Sequence, residues 1–125
     1  MKFGHILLSA IFALNIFSIQ AANRHSGNPE EDIQFTRLSI QDGLSESVVL
    51  ASCQDGAGHM WFATQDGLNR YNGYGFTVYR NEPEDSTTIA DNVARIIFRD
   101  SKDRMWFGTA EGLSLYDFEK DVFRN

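Results

Sequence analysis

The chain contains the same sequence pattern twice, and the two copies are 45 residues apart. Residues 55–71 and 100–116 align without a gap, and both contain Met-Trp-Phe-x-Thr-x-x-Gly-Leu-x-x-Tyr. The shared positions are the bulky and turn-forming ones, whereas the polar residues between them differ. Self-similarity at a fixed period marks a structural unit whose core and turns are kept in every copy. The chain is therefore expected to fold as a series of such units.

Each unit contains four short apolar or aromatic segments separated by turn residues, a pattern typical of β-strands rather than helices. Asp66-Gly67 and Asn72-Gly73 predict tight turns, because glycine adopts a positive φ without strain. The predicted strands are Val48–Cys53, Met60–Thr64, Leu68–Tyr71 and Phe76–Tyr79 in the first unit, and Val93–Arg99, Met105–Thr109, Leu113–Tyr116 and Val122–Arg124 in the second. We predict an all-β fold of two four-stranded antiparallel blades of a β-propeller.

The N-terminus has the features of a secretory signal peptide. Lys2 precedes an apolar run over Ile6–Phe17, and small residues follow at Ala21 and Ala22. The run is shorter than the roughly 20 apolar residues that a membrane-spanning helix needs, so cleavage is favoured over an uncleaved anchor. We expect the mature chain to be extracytoplasmic.

Six segments follow from these patterns. They are a signal peptide over 1–22, a flexible lead-in over 23–34, an extra strand over 35–43 that closes the ring in a full propeller, blade 1 over 44–80, an inter-blade loop over 81–88 and blade 2 over 89–125. A closed propeller has at least four blades, or about 180 residues at this repeat length. The propeller is therefore expected to be incomplete, with faces left for further blades or for self-association.

The charge balance excludes one class of partner. The chain has 17 acidic residues against 11 Lys and Arg, with a net charge of −6. Such a chain repels phosphate backbones, so no nucleic-acid partner is expected. Cys53 is the single cysteine, which excludes an intrachain disulfide. Its apolar surroundings in sequence predict a core residue rather than a reactive thiol.

The repeat resembles the two-component regulator propeller repeat, Asp-x-x-Gly-x-x-Trp-x-Gly-Thr-x-x-Gly-Leu-x-x-Tyr. Ala63 replaces one glycine of the pattern in the first copy, and Asp103 replaces another in the second. The matching positions, which we expect to have structural roles, are Asp55, Gly58, Trp61, Thr64, Gly67, Leu68 and Tyr71 in the first copy and Asp100, Trp106, Gly108, Thr109, Gly112, Leu113 and Tyr116 in the second.

This resemblance implies membrane signalling. Propellers of that family lie in the periplasm, sense a small-molecule or glycan ligand, and are coupled by a transmembrane helix to a histidine kinase or a diguanylate cyclase. The expected function is the N-terminal part of such a sensor, from an inner-membrane protein that starts a phosphorelay. Contact with the membrane is expected only through parts downstream of this sequence. Alternatives are the sensor of a diguanylate cyclase, a secreted scaffold of propeller blades without signalling output, and a secreted hydrolase with catalytic residues in later blades.

The residues themselves suggest no catalytic, cofactor or metal site. His59 is the only histidine in the predicted blades, and with Cys53 it falls short of the three or four ligands of a zinc site. The recurring carboxylates, Asp55 and Asp100 among them, are better explained by turn hydrogen bonds than by acid–base catalysis. Trp61 and Trp106 are aromatic enough to stack on sugars, but packing between blades is the favoured interpretation.

Overall fold

The computed structural model describes residues 34–125 and contains eight β-strands in two sheets. The predicted signal peptide over 1–22 lies outside the described residues, as does nearly all of the lead-in over 23–34. Residues Thr36–Asn125 form one compact unit. Blade 1 consists of β1 (Ala51–Gln54), β2 (Met60–Ala63), β3 (Leu68–Tyr71) and β4 (Phe76–Tyr79), and blade 2 of β5 (Ala94–Arg99), β6 (Met105–Thr109), β7 (Leu113–Asp117) and β8 (Val122–Arg124).

Each sheet is an antiparallel meander in which every strand pairs with the next one along the chain. The registers correspond between blades: Trp61 pairs with Arg70, and 45 residues later Trp106 pairs with Leu115. The all-β prediction of two four-stranded blades is confirmed. The inner strands are shorter than predicted, because β1 begins at Ala51 rather than Val48 and β5 at Ala94 rather than Val93.

The extra strand predicted over 35–43 is not formed. Residues 34–39 belong to no strand, and Ile40–Asp42 form a short 3-10 helix. Ser39 caps this helix by accepting a hydrogen bond from the Gln41 amide, and Gly43 ends it with a φ of 107°. A strand needs a neighbour to bond its backbone groups, and the alternating pattern of Phe35–Ile40 has none among the described residues. Its ring-closing role remains a prediction.

The core lies between the two sheets. Blade 1 contributes Trp61, Ala63 and Leu68, and all three are fully buried. The facing side of blade 2 is aromatic, and the Trp61 ring centroid lies 5.0 Å from that of Phe107 and 4.9 Å from that of Tyr116. Because alternate residues of a strand point to opposite faces, these side chains share the inner faces of the two sheets.

The connection between the blades is bonded to both of them. The amide of Gly67 donates to the carbonyl of Asn92 at 2.7 Å, and the amide of Ala94 donates to the carbonyl of Thr64 at 3.0 Å. The side-chain amide of Asn81 donates to the carbonyl of Ile89 at 2.8 Å. These bonds hold the start of β5 against the end of β2 and so position the two sheets for packing.

Candidate functional site

The aspartate that opens each repeat organises the turn between the first and second strands. Oδ1 of Asp55 accepts the backbone N–H groups of Ala57 and His59, both at 2.9 Å. Oδ2 accepts the indole N–H of Trp61 at 2.8 Å and lies 3.2 Å from Nδ1 of His59. Burial on its own raises the pKa of the Asp55 carboxyl, but the bonds from Trp61, His59 and Ala57 outweigh it, so this pKa lies below its ordinary value.

Asp100 repeats this arrangement 45 residues later. Its Oδ1 accepts the N–H groups of Lys102 and Arg104, and its Oδ2 accepts the indole N–H of Trp106 at 3.0 Å. The bond from Trp106 is the main reason why the pKa of Asp100 lies well below its ordinary range. Arg104 occupies the position of His59 and adds a bond from its Nε at 2.6 Å. Both aspartates therefore fix a tryptophan to a turn.

The two departures from the repeat pattern have local explanations. Asp103, which stands where the first copy has Gly58, adopts a φ of 60° and keeps the left-handed conformation of that turn. Asp residues tolerate this region better than most L-residues. At the other departure, Ala63 pairs with the small Ala51, whereas a Cβ on Gly108 would lie 3.3 Å from Cβ of Ile96. The size of the residue on the neighbouring inner strand thus accommodates alanine in one copy and favours glycine in the other.

The threonine and glycine of the motif close the turn after the second strand. The hydroxyl of Thr64 donates to the carbonyl of Gly67 at 2.8 Å, and that of Thr109 donates to the carbonyl of Gly112 at the same distance. Gly67 has a φ of 95°, and a Cβ there would lie 2.5 Å from the carbonyl oxygen of Tyr79. Glycine is required at this position both by the backbone conformation and by the close approach of β4.

Equivalent motif residues have different surroundings, because blade 1 uses one face to contact blade 2. Leu68 is fully buried, whereas Leu113 is 55% exposed. Tyr71 is half-buried on the far side of blade 1, whereas Tyr116 is buried between the sheets. The motif positions therefore do not converge on one site; they form two copies of one scaffold.

A polar cluster that is specific to the contact between the two blades spans both of them. It consists of Arg70 and Tyr79 of blade 1 and Tyr116 and Asp121 of blade 2. The Tyr79 hydroxyl donates to Oδ1 of Asp121 at 2.7 Å, the Tyr116 hydroxyl donates to the same oxygen, and Arg70 donates to the Tyr116 hydroxyl. Nη1 of Arg70 lies 3.6 Å from Oδ1 of Asp121.

Aromatic rings surround the Arg70 guanidinium. Its central carbon lies 5.5 Å from the ring centroids of both Trp61 and Tyr79, within the range of cation–π attraction. Burial is the main cause of a raised pKa for the hydroxyls of Tyr79 and Tyr116, and their bonds to Asp121 add to it. The carboxyl of Asp121 has a lowered pKa, because the bonds from the two tyrosines and the charge of Arg70 outweigh its partial burial.

A cleft of about 420 Å³ opens beside this cluster, between the outer strands of the two blades and the inter-blade loop. Carboxylates, hydroxyls and aromatic rings line it, with Tyr79, Glu82, Asp85, Thr87, Asp121 and Phe123 among the lining residues. Such a lining offers hydrogen-bond donors and acceptors next to ring faces, which suits a polar ligand with an apolar surface.

The carboxylate of Asp121 accepts hydrogen bonds from two tyrosines, and Nδ1 of His59 lies 3.2 Å from Oδ2 of the buried Asp55. Within residues 34–125 no group of three or more His, Cys, Asp or Glu is arranged to hold a metal ion.

Sequence reasoning missed Arg70, Tyr79 and Asp121. A signal for Arg70 was present, since the equivalent residue of the second copy is Leu115. A charged residue at a position that is apolar in the other copy indicates a contact that only one of the two blades makes.

Two stretches of the chain, residues 43–66 and 88–111, match the family model described as two component regulator propeller. They contain the aspartate turns and the second strands of both blades. The two blades are two-component regulator propeller repeats.

Two relatives are similar to this chain. Histidine kinase P4 of Formosa agariphila is 40% identical over 80 residues, which cover 64% of this chain and 6% of that protein. The crystal structure of the extracellular domain of a hybrid two component system from B. thetaiotaomicron matches with a TM-score of 0.64 and 35% identity. That match covers 70% of this chain and 12% of the solved one. The chain thus corresponds to a small part of each relative.

Among residues 34–125, no helix has the length and apolar character needed to cross a membrane.

Proposed function

We propose that residues 34–125 are part of the extracytoplasmic, ligand-sensing propeller of a two-component sensor histidine kinase. The observation that carries the proposal is the pair of two-component regulator propeller repeats, which pack against each other through the buried Trp61 cluster. Packing of this kind transmits a displacement at one blade to its neighbour, because close-packed interiors deform little.

The relatives favour a kinase output over a diguanylate cyclase. Both named relatives are two-component proteins, one a histidine kinase and the other a hybrid system.

An extracytoplasmic location is also supported by a relative, since the solved relative is an extracellular domain. Export of this chain through a signal peptide over 1–22 is the simplest route to that compartment. Fractionation with N-terminal sequencing tests it: periplasmic protein beginning near Asn23 is expected, and protein that retains Met1 contradicts export by cleavage.

We propose that the ligand is a small polar molecule, such as a glycan fragment, and that it binds in the cleft beside Tyr79. The half-buried Tyr79 offers part of its ring, while the exposed Thr87 offers a hydroxyl at the same cleft. Three carboxylates line the cleft, whereas Arg80, its one lining cation, is paired with Asp66 at 2.8 Å. This charge balance favours neutral sugars or amino sugars over acidic ones.

A chimera tests the proposed function. The 80-residue stretch of histidine kinase P4 that matches this chain is replaced by the matching residues of this chain, and autophosphorylation is measured in membrane vesicles. A panel of neutral, acidic and amino-sugar oligosaccharides is added. The expected result is kinase activity that responds to at least one neutral sugar or amino sugar.

Two cleft variants sharpen this test. Thr87→Val and Asp121→Asn in the chimera are expected to lose the response while basal phosphorylation persists. Glu111→Gln, at an exposed position away from the cleft, is the matched control and is expected to respond normally. A chimera that inserts and phosphorylates itself but ignores every sugar argues against glycan sensing. A response that survives both cleft variants argues against this binding site.

A further inference from the structure

Arg70 departs from the repeat, and its side chain lies in the contact between the two blades. Arg70 pairs with Trp61 in its sheet, as Leu115 pairs with Trp106 45 residues later. The Arg70 side chain is 22% exposed. A charge that is largely withdrawn from water costs free energy unless an opposite charge compensates it. Arg70 therefore needs an acidic partner, whereas a leucine at the same position needs none.

Blade 2 departs from the repeat as well, in the turn that leads into its outer strand. Tyr71 pairs with Phe76, five residues further on, whereas Tyr116 pairs with Phe123, seven residues further on. The connection between β7 and β8 thus contains two additional residues, and Asp121 lies in it. The two departures from the repeat, one in each blade, meet at one contact.

This contact joins a cation to a single carboxylate. Nη1 of Arg70 lies 3.6 Å from Oδ1 of Asp121, which is the only acidic residue within residues 34–125 at ion-pairing distance from the guanidinium. The ring centroids of Trp61, Tyr79 and Tyr116 lie 5.5, 5.5 and 5.8 Å from its central carbon. Aromatic rings attract a cation but carry no counter-charge, so Asp121 alone compensates the charge of Arg70.

The two partners depend on each other to different degrees. The Asp121 side chain is 57% exposed, so water can solvate its carboxylate without Arg70. It also accepts hydrogen bonds from the hydroxyls of Tyr79 and Tyr116. The less exposed guanidinium of Arg70 has no comparable substitute for Asp121. Arg70 therefore requires the acid, whereas the acid does not require Arg70.

The turn of blade 1 shows what Arg70 would meet in a blade without the addition. Residues 72–75 are Asn, Gly, Tyr and Gly and carry no charge. A blade with such a turn in place of blade 2 would leave the Arg70 guanidinium without a counter-charge. Repeats of this one pattern are therefore not equivalent partners for the face of blade 1 that contacts blade 2.

We infer that Arg70 selects the blade that packs against this face of blade 1, accepting a blade with an acidic outer turn and rejecting one whose turn is neutral or basic. Such discrimination requires a penalty against the wrong partner as well as a bond to the right one. Misassembly between similar units is a characteristic folding error of repeat proteins, and a charge requirement at one contact opposes it. The inference concerns the assembly of the blades and does not depend on ligand sensing.

A basic turn tests the inference in the full chain. Asp121→Lys presents blade 1 with a turn that carries the wrong charge. Glu119→Lys, at an exposed position of the same turn, makes the same change in net charge and is the matched control. Each substitution is made in the original chain and again together with Arg70→Leu. Urea unfolding followed by circular dichroism gives the equilibrium constant of unfolding for each variant.

The result expected is a large dependence of one substitution on residue 70. Asp121→Lys is expected to raise the unfolding constant about tenfold more in the chain with Arg70 than in the chain with Arg70→Leu. Glu119→Lys is expected to have the same effect in both. Arg70→Leu alone is expected to change the constant less than Asp121→Lys does, because leucine fits the aromatic surroundings and Asp121 stays hydrated.

Asp121→Asn separates the charge from the hydrogen bonds. Its side chain still accepts from the tyrosine hydroxyls, so only the counter-charge of Arg70 is removed. The unfolding constant is expected to rise about threefold more with Arg70 than with Arg70→Leu, as suits a partly exposed ion pair. Equal effects in the two chains would show that the contact does not sense charge.

The remaining outcomes also decide the matter. If Asp121→Lys has the same effect whichever residue occupies position 70, Arg70 selects nothing and the inference is wrong. A dependence just as large for Glu119→Lys would indicate general electrostatics and would contradict selection at this contact. Where Asp121→Lys does not fold, a cooperative transition regained by adding Arg70→Leu supports the inference, and its absence overturns it.

Discussion

The indole N–H of Trp61 donates to Oδ2 of Asp55 at 2.8 Å, and both residues are withdrawn from solvent. The same bond joins Trp106 to Asp100 at 3.0 Å. The six-residue spacing of the motif is therefore the spacing of a hydrogen bond that ties a turn to the blade core. The aspartate and tryptophan of the repeat therefore stabilise the fold. Specificity for a ligand is then expected to come from residues that differ between the two copies.

Asp55→Ala is expected to destabilise the chain, because it leaves the buried indole N–H of Trp61 and two turn amides without their acceptor. An unsatisfied buried donor costs about 1–3 kcal/mol, and here the indole alone meets that description. Urea unfolding followed by tryptophan fluorescence measures the change in the free energy of unfolding. Asp85→Ala, which removes a carboxylate that bonds only the exposed Thr87, is the control. Equal losses in the two variants would contradict the role assigned to Asp55.

The two tryptophans are expected to differ sharply in their contribution to stability. Trp61→Ala opens a cavity in a packed aromatic core and is expected to cost about 3–5 kcal/mol. Trp106→Ala changes a partly exposed side chain and is expected to cost about 1 kcal/mol, a typical value for a substitution that opens no cavity. Urea denaturation of the two variants compares these losses. A larger loss of stability for Trp106→Ala than for Trp61→Ala would contradict the assignment of the Trp61 face to the contact between the blades.

Local patterns explain why most strands could be predicted. The apolar segments and the Asp-Gly and Asn-Gly turns place β3 and β4 at the predicted residues, because both signals act within a few residues. The pairing of Arg70 with Asp121 depends on two residues from different blades, and no local pattern reports such a contact. The strand predicted over 35–43 failed for a related reason, since alternation predicts a conformation and cannot supply a hydrogen-bonding partner.

Gly67→Ala is expected to be more damaging than Gly73→Ala, although the two glycines have nearly equal φ angles of 95° and 96°. Both substitutions incur the left-handed strain of an L-residue, about 1–2 kcal/mol. Only at Gly67 does the new Cβ meet backbone, the carbonyl oxygen of Tyr79 at 2.5 Å; nothing lies within 4 Å of it at Gly73. Forced displacement adds about 1–3 kcal/mol. Thermal unfolding of the two variants measures the difference. Equal midpoint temperatures would show that β4 moves away from the new Cβ at no measurable cost.

Acid is expected to destabilise the chain through carboxylates that the folded state keeps ionised. The pKa values of Asp55 and Asp121 are lowered from an ordinary value of 3.8, so below neutral pH the unfolded chain takes up these protons first. Their stabilisation is complete above that value and is lost as the pH falls through the unfolded and then the folded pKa. Urea unfolding across this range is expected to show a declining free energy of unfolding. The Asn side chain of Asp121→Asn still accepts hydrogen bonds from the tyrosine hydroxyls but does not titrate. The free energy of unfolding of this variant is therefore expected to fall less steeply with decreasing pH, and equal slopes for the variant and the original chain would contradict a role of Asp121 in the acid response.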